Sequence, residues 1–384
     1  MGVRFELKTT KCYSFALVMS IKAFDPASLS SASRRVCVIF PGALGDFICF
    51  LPALQALLRE REIDLFARSE FAEIVPSGVT ARSLECAAIS DLFIDAAPQA
   101  RSRQDHFGAY EAVYSWLGSQ HPVFVRRLQS DCAGRAKIFP FRPPAQFEHQ
   151  ADYYLRCLAL PECAEQKPAI ELHEEAIAWS ERFSLEHSLE QRAVLVLAPG
   201  SGAREKNWPE EFFLAVAQWW RESSGGAVVL LVGPVESERG GIDRLRQHCL
   251  VARDLSLAQL AALISRSDVY LGNDSGVTHL AAAVGVPTFA LFGPSDPRQW
   301  APRGKKVMLL RRQIACSPCA DATMKSCPHR ACLSELYPDQ VIAAIKPLLE
   351  RATLTRGGGR DYSLTQDFPT DFAPKNPYAI GSDN

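Results

Sequence analysis

Residues 269–279 combine a turn and a helix start in a way that is suited to binding an anion. An apolar run (269–271) leads into Gly-Asn-Asp-Ser-Gly (272–276), and small residues with a helical pattern follow over 277–284. A second apolar run (288–291) comes next. The order strand, tight turn, helix, strand directs unpaired backbone N–H groups and the positive end of a helix dipole to one point. Phosphate is the anion most often bound at such a point, so we predict a phosphorylated ligand.

A carboxylate stands at a comparable place near the other end of the chain. Asp46 directly follows Gly42-Ala43-Leu44-Gly45, which comes after the apolar run 36–40. One interpretation is a helix N-cap, which Asp fills well and which contributes about 1 kcal/mol. The other is a general base that accepts the proton of an attacking hydroxyl. The spacing alone favours the cap, and the two roles are compatible.

Four cysteines lie close together in the last third of the chain, in the pattern C-x2-C-x7-C-x4-C: Cys316, Cys319, Cys327 and Cys332. Four thiolates so close can hold a structural zinc ion. The second spacing is not that of a standard zinc finger, so free thiols are the favoured interpretation. A structural zinc site and a disulfide are the alternatives.

The elements that position these residues alternate between strand and helix, which predicts an α/β fold with parallel sheets. In the first half, apolar runs predict strands at 36–40, 63–67, 92–95, 112–116 and 136–139, with a helix at 47–60. A charged helical segment, 171–192, follows. In the second half, strands are predicted at 193–198, 227–233, 269–271, 288–291 and 307–310, with helices at 209–221 and 257–265. Two such series predict two Rossmann-like domains, with ligands beyond the carboxyl ends of the strands.

Length and composition agree with two ordinary globular domains. The chain has 384 residues, 47% hydrophobic and 22% charged, and a formal net charge of −1, so no nucleic-acid partner is expected. Twelve cysteines, several within apolar segments, favour a reducing compartment, the cytoplasm. No apolar run reaches the roughly 18–20 residues that a membrane span needs. We predict a leader at 1–33, domains at 34–188 and 189–350, and a flexible tail at 351–384.

Four segments carry a resemblance to a known family, in order along the chain. They are VCVIFPGALGDFICFLPAL (36–54), VLVLAPGSGAREKNWPEEFF (194–213), VVLLVGPVESER (228–239) and GNDSGVTHLAAAVGVPTFALFGPSDP (272–297) followed by Trp300 and Pro302. Together they resemble glycosyltransferase family 9, the ADP-heptose:lipopolysaccharide heptosyltransferases, over roughly residues 34–350. The resemblance implies the GT-B fold, in which two Rossmann-like parallel-sheet domains face a cleft.

The resemblance also implies roles for particular residues. Asp46 matches the family's catalytic Gly-Asp pair, and Gly42, Ala43, Leu44 and Gly45 form the acceptor-side loop. Lys206 matches a lysine that stabilises the leaving diphosphate, with a solvated surface lysine as the alternative. The implied donor-binding residues are Ser201, Gly202, Lys206, Glu236, Asp274, Ser275, Gly276 and His279. Glu238 is an alternative to Glu236 for the ribose hydroxyls, and a packed helical histidine is the alternative for His279.

We therefore predict an inverting glycosyltransferase that moves a sugar, heptose from ADP-heptose, to a lipopolysaccharide-core or related cell-envelope glycan. GT-B enzymes typically use no metal, so no cofactor is expected, and peripheral contact with the inner membrane is a further expectation. The family often has Lys or Arg before the first glycine-rich loop, where this chain has Phe40-Pro41, so its acceptor can differ. The alternatives are a transferase for another nucleotide-sugar and glycan, or a nucleotide-binding protein without transferase activity. A dehydrogenase is disfavoured because residues 36–47 lack G-x-G-x-x-G spacing.

Overall fold

Apolar strands alternate with helices throughout residues 35–95, 106–144, 148–160 and 167–355, which are the residues described in this computed structural model. The strands are β1 Arg35–Ile39, β2 Glu62–Ala67, β3 Val79–Ser83, β4 Ala112–Ser115, β5 Ala136–Ile138, β6 Val194–Ala198, β7 Ala227–Val232, β8 Leu250–Arg253, β9 Val269–Asn273, β10 Thr288–Phe292 and β11 Val307–Arg311.

The helices that cover the two sheets range from single turns to 18 residues. They are α1 Leu44–Leu58, α2 Ala87–Ser90, α3 Pro122–Asp131, α4 Gln150–Cys157, α5 Glu174–Glu186, α6 Glu210–Ser224, α7 Pro234–Arg239, α8 Asp243–His248, α9 Leu257–Ser265, α10 Gly276–Val284, α11 Pro297–Trp300, α12 Asp321–Ser326, α13 Ala331–Ser334 and α14 Pro338–Thr355. Short 3-10 turns lie at Ser69–Glu73, Asp91–Phe93 and Arg204–Lys206.

The strands form two separate parallel sheets, which confirms the predicted fold class. The first has the order β3-β2-β1-β4-β5 and the second the order β11-β10-β9-β6-β7-β8. In each sheet the strand order reverses direction once, between β1 and β4 and between β6 and β9. Ligands bind at such reversal points in open parallel sheets. Both glycine-rich turns of the sequence follow strands at these two points, β1 and β9.

The central strands are buried because helices cover both faces of each sheet. Every residue of β6, β7, β9 and β10 is buried. In the first domain, aromatic rings fill the space between β1, α1 and α4, with Phe40 stacked on Phe50 at 4.6 Å and Tyr154 edge-on to both. This packing fixes the direction in which α1 leaves β1, and therefore the position of Asp46.

The structure differs from the predicted elements at the sheet edges. The strand predicted at 92–95 is wrong, because Asp91–Phe93 forms a 3-10 turn whose Leu92 side chain is buried. Two strands were not predicted, Val79–Ser83 and Leu250–Arg253. Both lie at the edges of their sheets. Val79–Ser83 is only partly buried and alternates polar with apolar residues, so it lacks the continuous apolar run that marks a central strand.

The two domains are joined by specific contacts as well as by the chain. The imidazole of His149 lies 2.9 Å from the carbonyl of Ala301, and Arg303 makes a two-pronged ion pair with Asp152 at 2.8 and 2.5 Å. Elsewhere the carboxylate of Glu73 accepts a hydrogen bond from the Ala258 amide at the start of α9. These contacts connect α4 and the β2–β3 connection of the first domain to the second domain.

Helix α5 connects the two sheets and packs on the second domain. Arg266, just after α9, donates to the Ser184 hydroxyl at 3.2 Å. The predicted boundary between residues 188 and 189 lies between α5 and β6 and stays a prediction. Helix α14 extends to Thr355, so it enters the predicted tail, whereas residues 1–34 and 356–384 lie outside the described part of the chain.

Candidate active site

The N-terminal ends of α1 and α10 meet at a pair of glycines. A Cβ atom on Gly276 would lie 2.9 Å from the Gly45 amide nitrogen and 2.9 Å from the Cβ of Leu44. No side chain fits at position 276, so the two helix ends are in direct contact. The first amides of a helix have no partner within the helix, and its N-terminal end carries a partial positive charge. Two such ends at one place form a strong site for an anion.

Asp46 stands at the first of these ends, in the third position of α1. Ala43 is the N-cap, and its amide donates to Oδ2 of Asp46 at 3.3 Å. Asp46 thus contributes half of a capping box, and the predicted N-cap position is wrong by three residues. The turn requires glycine at position 42, because a Cβ there would lie 2.7 Å from the Cβ of Asp46 and 2.4 Å from the Phe40 ring.

Arg142 covers the carboxylate of Asp46, which the sequence did not predict. Its guanidinium donates to Oδ1 at 2.5 Å and to Oδ2 at 3.5 Å. The side chain of Asp46 is 10% exposed and that of Arg142 is 47% exposed. The Arg142 carbon Cζ also lies 4.4 Å from the centre of the Phe141 ring and 4.7 Å from that of Trp300 in the second domain.

Lys206 and Asp274 form an ion pair on the other side of the glycine contact. The Lys206 ammonium donates to Asp274 at 2.8 Å, with side-chain exposures of 27% and 7%. This pair explains how a carboxylate is accommodated in a turn suited to phosphate, because the lysine balances its charge. Lys206 is half-buried and lies in the Arg204–Lys206 turn at the end of β6.

Asn273 holds the β6 loop against the β9 turn and was not among the predicted site residues. Its buried amide accepts from the Trp208 backbone at 3.0 Å and donates to the Pro199 carbonyl at 2.6 Å. Both bonds bridge more than sixty residues of sequence. They set the distance across which Lys206 reaches Asp274.

The predicted donor-binding residues of the β6 loop have different surroundings. The Ser201 hydroxyl is buried and lies 2.6 Å from both the Ala203 carbonyl and the Asn207 amide oxygen. It therefore stabilises its own loop. A Cβ at Gly202 would meet no atom within 4 Å, so this glycine borders open space.

Glu236 faces a cavity beyond the carboxyl ends of β6 and β7. Its carboxylate accepts from the Gly233 amide at 2.8 Å and lies directly over Gly200, where a Cβ would be 1.6 Å from Oε1. Glu238 is exposed and does not line this cavity. The lining residues are Pro199, Gly200, Arg204, Asn207, Trp208, Glu210, Glu236, Gly240, Gly241 and Ile242. A carboxylate at the wall of such a cavity can accept hydrogen bonds from ribose hydroxyls.

His279 is buried between the two carboxylates of the site. Its Nδ1 lies 3.6 Å from the thiol of Cys49 on α1, and the Trp300 backbone also hydrogen-bonds the ring. Burial lowers the pKa of His279 below its usual value, although Asp274 and Asp46 act in the opposite direction. The neutral ring is thus already engaged by protein groups, and its predicted contact with a diphosphate stays a prediction.

The four clustered cysteines are free thiols in this structure. The Cys319 thiol lies 3.0 Å from the Cys316 carbonyl, and the Arg330 amide donates to the sulfur of Cys327 at 3.4 Å. Within the described ranges, no group of three or more His, Cys, Asp or Glu side chains is arranged to hold a metal ion. None of the helices in these ranges has the length and hydropathy to cross a bilayer.

The two parallel-sheet α/β domains have the architecture of GT-B glycosyltransferases. The profile of glycosyltransferase family 9 (heptosyltransferase) matches residues 145–328, a little under half of the chain. The matched range contains Lys206, Glu236 and the turn at 273–276, whereas Asp46 and Arg142 lie outside it.

The chain is similar to lipooligosaccharide heptosyltransferase 2 of Campylobacter jejuni, with 29% identity over 42% of this chain and 53% of that protein. It thus spans about half the length of the curated relatives it matches. Its fold is similar to a family 9 glycosyltransferase of Veillonella parvula (TM-score 0.65, 22% identity, 83% of this chain and 98% of that one). It is also similar to ADP-heptose LPS heptosyltransferase II of Escherichia coli (TM-score 0.59, 18% identity, 83% and 99%).

Proposed function

We propose that this protein is an inverting glycosyltransferase that moves heptose from ADP-heptose to a hydroxyl of a lipopolysaccharide-core or related cell-envelope glycan. The observation that carries this proposal is the direct contact between two helix ends, with Asp46 on one side and the Lys206–Asp274 pair on the other. Its relatives include heptosyltransferases of lipopolysaccharide and lipooligosaccharide, which supports heptose as the sugar.

Each part of the site has a role in this reaction. The cavity beside Glu236 receives the nucleoside, and the amides of Ser275 and Gly276 at the start of α10 receive the diphosphate. Lys206 balances the charge that grows on the diphosphate as the bond to the sugar breaks. Asp46 accepts the proton of the acceptor hydroxyl as that oxygen forms its bond to the anomeric carbon. A base and a leaving group on opposite sides of the sugar give a single displacement with inversion.

No metal is required in this scheme, because a lysine and helix ends face the diphosphate. The first test is calorimetry of the purified protein with ADP and ADP-heptose in EDTA, with UDP, GDP and CMP as matched controls. We expect binding of the adenine nucleotides at full affinity without a divalent ion. Binding that appears only with magnesium or manganese contradicts the proposal.

The second test measures transfer. Purified protein is incubated with ADP-heptose and lipopolysaccharide that lacks heptose, and products are followed by mass spectrometry. We expect a mass increase of one heptose on the acceptor and release of ADP. Binding of ADP-heptose without transfer to any envelope glycan indicates a nucleotide-binding protein, and transfer of another sugar indicates a different donor for the same site.

A further inference from the structure

Arg142 connects Asp46 to the opposite domain through a side-chain stack. It follows β5 in the first domain, and Trp300 ends α11 in the second. The guanidinium donates to Asp46 at 2.5 Å, while its Cζ lies 4.7 Å from the centre of the Trp300 ring. One side chain therefore contacts both the carboxylate of the first domain and an aromatic ring across the cleft.

The carboxylate of Asp46 depends on Arg142 for its orientation. Its other hydrogen bond, from the Ala43 amide, is long at 3.3 Å. An ionised carboxylate has about four acceptor positions, and these two groups leave at least one for an incoming hydroxyl. The guanidinium has donors and no acceptor position, so Arg142 orients the carboxylate and offers no base of its own.

Trp300 in turn limits where Arg142 can lie. An arginine side chain loses about 2 kcal/mol of rotamer freedom when it is held in one geometry. The Phe141 ring, 4.4 Å from Cζ, belongs to the same domain, so its contact with Arg142 does not depend on the second domain. The Trp300 ring belongs to the other domain, so its attraction for the guanidinium exists only when the domains are together.

We propose that Arg142 is a positioning residue for Asp46 and that Trp300 sets the position of Arg142 from across the cleft. The inference rests on the proposed function, in which Asp46 accepts the proton of the acceptor. Closure of the two domains then both brings the donor to the acceptor and orients the base.

A double-mutant cycle on the full-length protein tests this coupling. Arg142→Gln is expected to lower kcat about 10- to 100-fold with the KM for the donor unchanged, because a small misplacement of a reacting group has costs of that size. Trp300→Leu is expected to lower kcat about three- to tenfold, in the range of a lost cation–π contact. The double variant is expected to match Arg142→Gln alone, because Trp300 acts through Arg142.

Two further variants separate positioning from general stability. Trp300→Phe keeps an aromatic ring and should recover most of the lost kcat. Arg156→Gln breaks an ion pair with Glu148 that lies within the first domain and does not contact Asp46. Its effect on kcat should multiply with that of Arg142→Gln, as expected for independent sites.

A second readout does not depend on catalysis. Thermal unfolding midpoints of the same cycle should show a smaller shift for the double variant than the sum of the two single shifts. The inference is overturned if the midpoint shifts of Arg142→Gln and Trp300→Leu add in the double variant, or if their effects on kcat multiply. A higher kcat in Arg142→Gln overturns it as well. The proposed function stands in each of these cases. Absence of transfer by the wild-type protein overturns the proposed function itself, and the role of Arg142 with it.

Discussion

At the scale of single residues, Asp46 combines a structural and a chemical position. Its carboxylate accepts a hydrogen bond from the Ala43 amide at the start of α1 and forms an ion pair with Arg142. It also lies beside the contact between Gly45 and Gly276. An amide in its place can still accept from Ala43 but cannot take a proton. A substitution by Asn therefore tests the chemical role of Asp46 apart from its structural role.

We expect Asp46→Asn to lower kcat by about 10²–10⁴-fold and to leave donor affinity nearly intact, because a general base contributes in that range. Urea unfolding should show a loss of about 1 kcal/mol or less, on the scale of capping interactions. Steady-state kinetics and calorimetry with ADP measure the two effects separately. Full activity combined with a clear loss of stability would assign Asp46 a structural role only.

Lys206→Ala should weaken donor binding and also slow transfer, because the diphosphate is charged when bound and gains charge as the bond breaks. The variant also leaves Asp274 buried without its cation, which costs roughly 1–3 kcal/mol of stability. Isothermal calorimetry, initial rates and urea unfolding measure the three quantities.

The matched control is the double variant Lys206→Ala with Asp274→Ala, which removes both charges. It should recover most of the lost stability but not the donor affinity. If donor affinity is unchanged in the single variant, Lys206 serves only to balance Asp274.

At the scale of elements, the contact between α1 and α10 depends on the absence of a side chain. Gly276→Ala should destabilise the protein by about 1–3 kcal/mol, the usual cost of forcing an extra carbon into a packed contact. Alanine favours helices over glycine, so a loss cannot come from α10 itself. Gly202→Ala is the control for stability, because open space surrounds that position. Equal unfolding free energies for the two variants would show that the two helix ends separate readily.

The elements that the sequence predicted well are those with a local signal. Strands such as β6 and β9 carry apolar runs because both of their faces are buried, and α9 shows the expected helical spacing over the predicted residues 257–265. The edge strand β3, with the sequence VTARS, carries no such run. In the site, the glycine turns and Asp46 follow strands directly, so their placement at the strand ends could be predicted.

The remaining site residues act through contacts between distant parts of the chain. Arg142 lies 96 residues from Asp46, and Asn273 lies 65 residues from Trp208. Nothing in the local sequence around Arg142 marks it, because its role depends on a carboxylate and an aromatic ring from other elements. Cys49 beside His279 could not be predicted for a similar reason, because a cysteine within an apolar helix has the pattern of an ordinary core residue.

At the scale of the whole molecule, His149 makes the association of the domains sensitive to acid. Its Nδ1 accepts from the Ala151 amide, so the proton lies on Nε2 and is donated to Ala301 of the second domain. Burial, and then the charge of Arg303, lower the pKa of His149 to about 4. Its usual value in an unfolded chain is about 6.5.

The difference between the folded and unfolded pKa values of His149 determines how acid affects the stability of the protein. Above pH 6.5 the imidazole is neutral in both states, and as the pH falls toward 4 only the unfolded chain binds a proton. Stability is therefore lost on acidification through this window, by about 2 kcal/mol at pH 5. We expect urea unfolding at pH 7 and pH 5 to show this loss in the wild type and a smaller one in His149→Asn, which keeps the acceptor for Ala151. An equal loss in both proteins would assign the acid sensitivity to other groups, such as His279.

The glycine-to-glycine contact between α1 and α10 also bears on how this architecture tolerates evolutionary change. The relative placement of the two helix ends is set by main chain against main chain, because Gly276 has no side chain. Side chains elsewhere on the two domain surfaces can therefore diverge without altering the distance between the anion site and the carboxylate. Under the proposed function, acceptor preference can then change while the alignment of the reacting groups is kept.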